Sequence, residues 1–313
     1  MLGPRMMGAV DGTSGAKAGV EELPLVDLPL EDRVRLAHAL IESLAVEASV
    51  DLVHIKGYAT EPSLYEPDRA STDVDVLVRP AHVDALVRAL IGRGWRTVTT
   101  FETGSVFHHA MTLWHDQWGY VDVHRAFPGV GIPAEAFFER LWDEHRTLRI
   151  AEWPCRVPAR RHQALIIVLH AARDPHRGAA DVAHLRSVLT PAEWDGLEAA
   201  AGIAEAHVSF AAATGHLDDW AAHPEHDVWE VMGRGGTRVE LFRARWKASR
   251  TAGERAGLLR SLVVVNRDHL RMQLRREPGV ADVARELGAR AGDVLRAAAG
   301  RRGGAAPSTH DAG

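Results

Sequence analysis

Thr72-Asp73-Val74-Asp75-Val76-Leu77-Val78 is the stretch on which the reading of this chain turns. Its β-branched residues alternate with acids, the composition and the two-residue period of a strand. Side chains of a strand point alternately to opposite faces, so Asp73 and Asp75 share one face, about 7 Å apart, and Val74, Val76 and Val78 share the other. Two unpaired carboxylates on a dry face are costly to bury. Either that face opens to solvent or something positive sits on it, and a divalent cation meets the second requirement. A solvated face is the plainer reading, but the flanking residues are strongly apolar and the arrangement recurs in Tyr120-Val121-Asp122-Val123-His124. There Val121 and Val123 take the core side, and Asp122 and His124 the other. Three acids from two strands can hold two Mg²⁺ ions roughly 3.5 to 4 Å apart, the spacing that suits in-line attack on a phosphoryl group.

Working outward, apolar residues Val34, Ala37, Ile41, Leu44 and Ala45 recur at helical spacing over 31–47, with Glu31 and Asp32 placed to favour a helix N-terminus. A short strand over 51–55 follows, stopped by Lys56-Gly57, and a connection punctuated by Pro62 and Pro67 leads to the quoted strand. Pro80 is positioned to open a helix over 81–93 that Gly94 ends. Strands are expected over 95–100, 106–115 and 118–127, the last two as an antiparallel hairpin around Asp116-Gln117, with Pro128-Gly129 closing the sheet region. From about residue 160 the pattern turns to Ala/Leu/Arg-rich helices, among them 161–173, 179–189, 191–200 and 281–299. The expected organisation is a disordered leader (1–20), an α/β domain (21–158), an all-helical domain (159–299) and a disordered tail (300–313), and the fold class is α+β with a small mixed sheet.

The chain has 313 residues, a prior of about two domains at roughly 100 to 200 residues each. Hydrophobic residues at 46% and charged residues at 25% are ordinary for a soluble globular protein and exclude a disordered or fibrous chain. With 37 basic against 42 acidic residues the formal charge is −5, so no extensive nucleic-acid surface is expected. Cys155 is the only cysteine, which excludes an intrachain disulfide and CxxC chemistry. No apolar run approaches the roughly 20 residues of a membrane span, and the first twenty residues show no secretory h-region, so a cytoplasmic setting is expected. Of the basic residues only Lys17, Lys56 and Lys247 are lysines. Lys56, inside an apolar segment, marks a position where arginine does not serve.

In its ordered elements the chain resembles the polymerase β-type nucleotidyltransferases, and within them the uncharacterised nucleotidyltransferase family. The resemblance runs over roughly 52–127 and rests on His54-Ile55-Lys56-Gly57, on Arg69 ahead of Asp73-Val74-Asp75, and on Val121-Asp122-Val123-His124. It implies that Asp73 and Asp75 hold both metals, Mg²⁺ with Mn²⁺ as an alternative. Asp122 would hold the metal that activates the acceptor, with Lys56, Gly57, Arg69, Ser71 and His124 contacting the nucleotide. The implied reaction is transfer of a nucleoside monophosphate, AMP from ATP in the first instance, to an unidentified small molecule, peptide or protein, with pyrophosphate released. His170, Asp174 and Asp181 would lie where helices close over the cleft. The chain departs from the superfamily pattern in carrying Lys56-Gly57 where a Gly-Ser or Gly-Gly pair is common, with Asp73 sixteen positions after Gly57.

Two other classes compete. One is a partner-binding module without catalysis on the same fold, which would typically have lost one of the acids. The other is a metal-dependent phosphohydrolase assembled from His108, His109, His115, His170, His176, Asp181 and His184; it lacks an HExxH or an adjacent His-Asp pair at a helix centre. No P-loop, no dinucleotide fingerprint after a strand and no GxSxG is present. The nine tryptophans are scattered through both halves and read as core.

Overall fold

The computed structural model describes residues 28–67, 69–263, 265, 267–274, 276–289 and 292. The leader expected over 1–20, the tail over 300–313 and the end of the helix expected over 281–299 lie outside the described residues.

Helix α1 (Leu30–Glu47) begins after Pro29 with Glu31 and Asp32 in its first turn and buries Val34, Ala37, Ile41, Leu44 and Ala45. Strands β1 (Leu52–Ile55), β2 (Asp73–Val78), β3 (Arg96–Thr97), β4 (Ala110–His115) and β5 (Gly119–His124) form one sheet in the order β1-β2-β5-β4-β3. The β2–β5 pairing is parallel and the others antiparallel, so the sheet is mixed, as the sequence implied. Pro80 opens a short 3₁₀ turn that runs into α2 (Val83–Gly92). Val74, Val76, Val78, Val121 and Val123 all pack against α1 and α2 in one apolar cluster. Burial of five valines on one face fixes the register, because a slip of one residue would turn the acids into that cluster.

Three expected strands are shorter than their sequence pattern. The 95–100 segment is a strand only at Arg96–Thr97, because the amides of Val98 and Thr99 converge on the single carbonyl of Thr112, at 2.9 and 3.1 Å, and end the ladder. The 106–115 strand starts only at Ala110, since His108 takes a positive φ of 53° in the preceding turn. The 118–127 strand stops at His124, with one further backbone bond beyond it, from the Arg125 amide to the His109 carbonyl at 2.9 Å.

Two elements were not foreseen. Helix α3 (Ala134–Asp143) follows Pro133 and buries Phe137, Phe138 and Leu141, and strands β6 (Arg146–Ile150) and β7 (Trp153–Val157) form a separate two-stranded sheet. Leu148-Arg149-Ile150 and Cys155-Arg156-Val157 do alternate, but each run is only three residues long and Pro154 stands beside the second, so a pattern reading passes over this hairpin.

Helices α4 (Arg160–Ala171), α5 (Gly178–Val188) and α6 (Pro191–Ile203) match the expected 161–173, 179–189 and 191–200, and 280–289 is helical within the expected 281–299; α7 (His207–Thr214), α8 (His226–Gly233), α9 (Arg238–Ala248), α10 (Ala252–Val263) and α11 (Arg267–Leu274) add helices for which no segment was specified. Helix α6 starts on a reciprocal cap between Thr190 and Glu193. Helix α4 is buried almost all round, as a central helix must be. Its apolar side chains share a cluster with Val53, Ile55 and Leu77 of the sheet and with Phe137, Phe138 and Leu141. The helices thus cover the face of the sheet that carries the acids.

Candidate active site

The parallel register of β2 and β5 sets Asp75 beside Asp122 and Leu77 beside His124. All four therefore point to the same face, and Asp73 stands two residues upstream on it. Asp75, Asp122 and His124 each offer a ligand atom within 4.8 Å of the others, the only such group on this sheet among the described residues. Asp73 shares the face but is not in that group; of the three expected metal-holding acids, two are brought together with His124, and the third stands two residues away along β2, half-buried.

The three carboxylates have different electrostatics. Burial alone would raise Asp75, but the Lys56 ammonium and the His124 hydrogen bond overcome it and hold the carboxyl well below its ordinary range. Lys56 Nζ lies 2.6 Å from Asp75 Oδ1, and His124 Nε2 donates to the same oxygen at 2.7 Å. Burial first, and then repulsion from Asp75, push Asp122 up to about 6, against a hydrogen bond of 2.7 Å that Thr112 Oγ1 donates to its Oδ1. Asp73 is raised by the same two causes, in the same order. Two of the three acids thus lack the positive charge that their burial calls for.

His124 is held down to about 4, chiefly by burial, so it is neutral; with Nε2 donating to Asp75 its Nδ1 is an acceptor, and that atom is buried without a partner. The ring of His109 lies beside it, 5.2 Å between centroids. His109 is lowered to about 2, first by burial and then by its cationic neighbours, and bonds Ser105 Oγ through Nδ1 at 2.7 Å. Arg173, just past α4, donates to His109 Nε2 at 3.4 Å, and its Nε is buried without a partner. Its guanidinium, lowered by burial, faces the fields of Asp75, Asp122 and Asp174. His170, in the last turn of α4, is lowered to about 3, again by burial first and then by Lys56 and Arg173.

The turn before the acids has its own geometry. Lys56 adopts φ 60° and ψ 178°, a backbone region that is essentially glycine's and costs a side-chain-bearing residue about 1–3 kcal/mol. Gly57 follows at φ 50°, and a Cβ there would lie 2.4 Å from Ser71 Oγ, so only glycine lets the two segments touch. Ser71 Oγ in turn donates to the Asp73 carbonyl at 2.9 Å. Lys56, Gly57 and Ser71 are thus strapped to the start of β2. Arg69 is placed differently: it is ion-paired with the buried Asp181 of α5 and lies 4.2 Å over the Tyr65 ring. That pair ties the loop ahead of β2 to the helical half.

Thr112 and Arg173 escaped the sequence reading. Counting back through a two-residue turn at Asp116-Gln117 would set Thr112 opposite Val121; the loop also takes in Trp118, His115 pairs with Gly119, and Thr112 therefore lies opposite Asp122. Nothing local marks Arg173, which the fold alone brings to the sheet. Of the histidines in the phosphohydrolase reading, His115 packs on Trp95 and His184 bonds the Ser63 carbonyl at 3.0 Å. None of the six falls in a metal-competent group among the described residues.

The donor set suits hard cations: carboxylate oxygens that burial leaves undercompensated, with orphaned polar atoms of His124 and Arg173 alongside. A profile described as uncharacterised nucleotidyltransferase matches residues 34–222, more than half of the chain and the whole of this site up to Arg173. The chain belongs to the uncharacterised nucleotidyltransferase family. It is accordingly a transferase, and its mixed sheet with flanking helices is that of a nucleotidyltransferase. Solved structures that resemble this nucleotidyltransferase include the lincomycin-bound lincosamide antibiotic adenylyltransferase LnuA, 16% identical over 50% of this chain and 96% of that one, with a TM-score of 0.34. The antibiotic-resistance factor ANT(2'')-Ia is 15% identical over 63% and 99% of the two chains, with a TM-score of 0.38. An antigenic nucleotidyltransferase-like protein from Paracoccidioides brasiliensis is 14% identical over 51% and 78%, with a TM-score of 0.36. No curated protein matches the chain. No helix among the described residues is long and apolar enough to cross a membrane.

Proposed function

We propose that this nucleotidyltransferase moves a nucleoside monophosphate, AMP in the first instance, from a nucleoside triphosphate to an acceptor at the face formed by Asp73, Asp75 and Asp122, with Mg²⁺ or Mn²⁺ as cofactor. The observation that carries the reading is the parallel pairing of Asp75 with Asp122, which sets two carboxylates side by side on one buried face with Asp73 two residues upstream. A family member that had kept only a binding role would have no reason to retain three acids whose burial raises two of them.

Divalent cations bound there supply neutralisation of the triphosphate charge and acidification of an acceptor hydroxyl. The chain's own residues do the remainder. Asp75 and Asp122 would hold the cations, with Asp73 completing the set from two residues upstream on the same face. His124 keeps Asp75 oriented through its 2.7 Å bond, and Thr112 does the same for Asp122. Lys56, with the Gly57 turn braced on Ser71, faces the phosphates, and Arg173 adds a second cation from the helical side. The acceptor oxygen bonds to the α-phosphorus as pyrophosphate leaves.

In this reading residues 21–158 carry the nucleotide chemistry and 159–299 shape the acceptor side, while Arg69 works through Asp181 to hold the two together. A cytoplasmic setting accords with the single thiol, Cys155, which is free and buried. The test is pyrophosphate release from each of the four NTPs with Mg²⁺, in the presence of hydroxyl-bearing small molecules, peptides and proteins as acceptors. Asp73→Asn should abolish turnover and leave the fold intact; full turnover in that variant would rule the assignment out.

A further inference from the structure

Lys56 is the least ordinary residue of the site. It is one of three lysines among 37 basic residues, its backbone sits at φ 60° and ψ 178°, and its side chain is only 14% exposed. A strained conformation persists only where its surroundings hold it, and here the Gly57–Ser71 contact does so. The strain aims an ammonium at Asp75 Oδ1, 2.6 Å away, on the oxygen that already accepts from His124 at 2.7 Å. The most strongly paired acid of the set therefore has one oxygen saturated by the chain's own cation.

Resting on the nucleotidyltransferase reading above, we infer that Lys56 is a built-in occupant of the cation position on Asp75, which a divalent ion takes over only when a triphosphate arrives to receive the displaced ammonium. The reason is charge. A bare divalent ion on Asp75 would lie beside a buried ammonium with no anion left to pair with, and like charges at that range repel strongly away from bulk water. A triphosphate supplies the missing anion. Metal and nucleotide then bind with positive coupling, and by thermodynamic reciprocity each raises the affinity for the other by the same factor. A compact ammonium on a flexible stem can make this exchange, whereas a planar guanidinium paired with Asp75 by two bonds holds it more tightly, which accounts for lysine here in a chain that otherwise uses arginine.

The experiment is a Mn²⁺ titration of the full chain without nucleotide, read by the EPR signal of free Mn²⁺. It is paired with binding of a fluorescent, non-hydrolysable ATP analogue in excess Mn²⁺. Wild type and two neutral variants, Lys56→Met and Lys56→Gln, are compared after a urea melt has shown which are folded. Removing the ammonium should tighten Mn²⁺ binding on the order of tenfold and weaken analogue binding by a similar factor. A residue with a merely structural role would move both affinities in the same direction. Mn²⁺ binding in the folded neutral variant that is equal to or weaker than in wild type overturns the inference, while Mn²⁺-dependent analogue binding by wild type in that same experiment leaves the nucleotidyltransferase reading standing. Failure of wild type to bind the analogue with Mn²⁺ overturns both. If neither neutral variant folds, Lys56→Arg serves: it should bind the analogue more weakly than wild type in Mn²⁺, and unchanged affinity overturns the inference.

Discussion

The two faces of β2 and β5 are built from the same pair of six-residue strands and to opposite ends. On the α1 and α2 side stand Val74, Val76, Val78, Val121 and Val123, all buried and chemically interchangeable. On the other side stand Asp73, Asp75, Asp122 and His124, of which Asp73 and Asp122 are pushed up by burial and by the charge of Asp75. The first face contributes stability through apolar area removed from water. The second gives some of it back, because its acids are assembled closer than the chain's own cations compensate. On the proposed function this face is there for what it binds, and substitutions on the two faces should separate these roles.

The largest effect is expected at Asp75. Asp75→Ala strips Lys56 and His124 of their shared partner and leaves a buried ammonium unpaired, at a cost of about 3–5 kcal/mol in urea unfolding with chelator present. Asp122→Asn should act with the opposite sign. The carboxyl is held up at about 6 in the folded chain, above its unfolded value, so the native state binds the extra proton between those values and loses stability as pH rises through them. Removing the charge should then stabilise the metal-free protein at pH 7 by on the order of 2–3 kcal/mol. The gain should shrink as pH falls toward 4, while nucleotide-dependent metal binding is lost. Equal urea midpoints for the variant and wild type at pH 7 would mean that the acid face carries no such penalty.

On the apolar face, Val121→Ala should cost about 2 kcal/mol through the cavity it leaves and should not change the affinity for a metal–nucleotide complex. A parallel loss of binding would show that the two faces are not separable. The smallest effect is expected for Thr112→Val, which removes one hydrogen bond to Asp122, about 1 kcal/mol, and raises that carboxyl further. Nuclear magnetic resonance titration of the Asp122 carboxyl in chelator would register the upward move; a downward move would place the hydroxyl's role elsewhere.

The acid-bearing strands were legible because a period of two leaves a plain mark: Asp73, Asp75, Asp122 and His124 on one side and valines on the other follow from alternation alone. In the helical half α4, α5 and α6 were legible for the same reason at a period of 3.6, whereas none of α7 to α11 was delimited from the sequence. The β6–β7 hairpin was not, since its alternating runs are only three residues long and a small separate sheet needs no continuous apolar face. Arg69 reads from sequence as a phosphate contact only because nothing local announces Asp181, more than a hundred residues away. The approach of Arg173 and His109 to His124 is likewise a product of packing α4 against the sheet, and no spacing along the chain encodes it. Lys56 falls between these cases: its rarity among arginines was visible, whereas its strained backbone and its hold on Asp75 were not.

The account rests on the acid face being a metal–nucleotide site, and thermal unfolding tests this most directly, because a ligand that binds only the native state raises its melting temperature. Wild type and Asp122→Asn would be melted with each of the four NTPs, with and without Mg²⁺. The account predicts a rise for wild type that requires both NTP and Mg²⁺ and that Asp122→Asn loses even though its own baseline lies higher. No rise with any NTP in folded wild type, or the same rise in the variant, would contradict it.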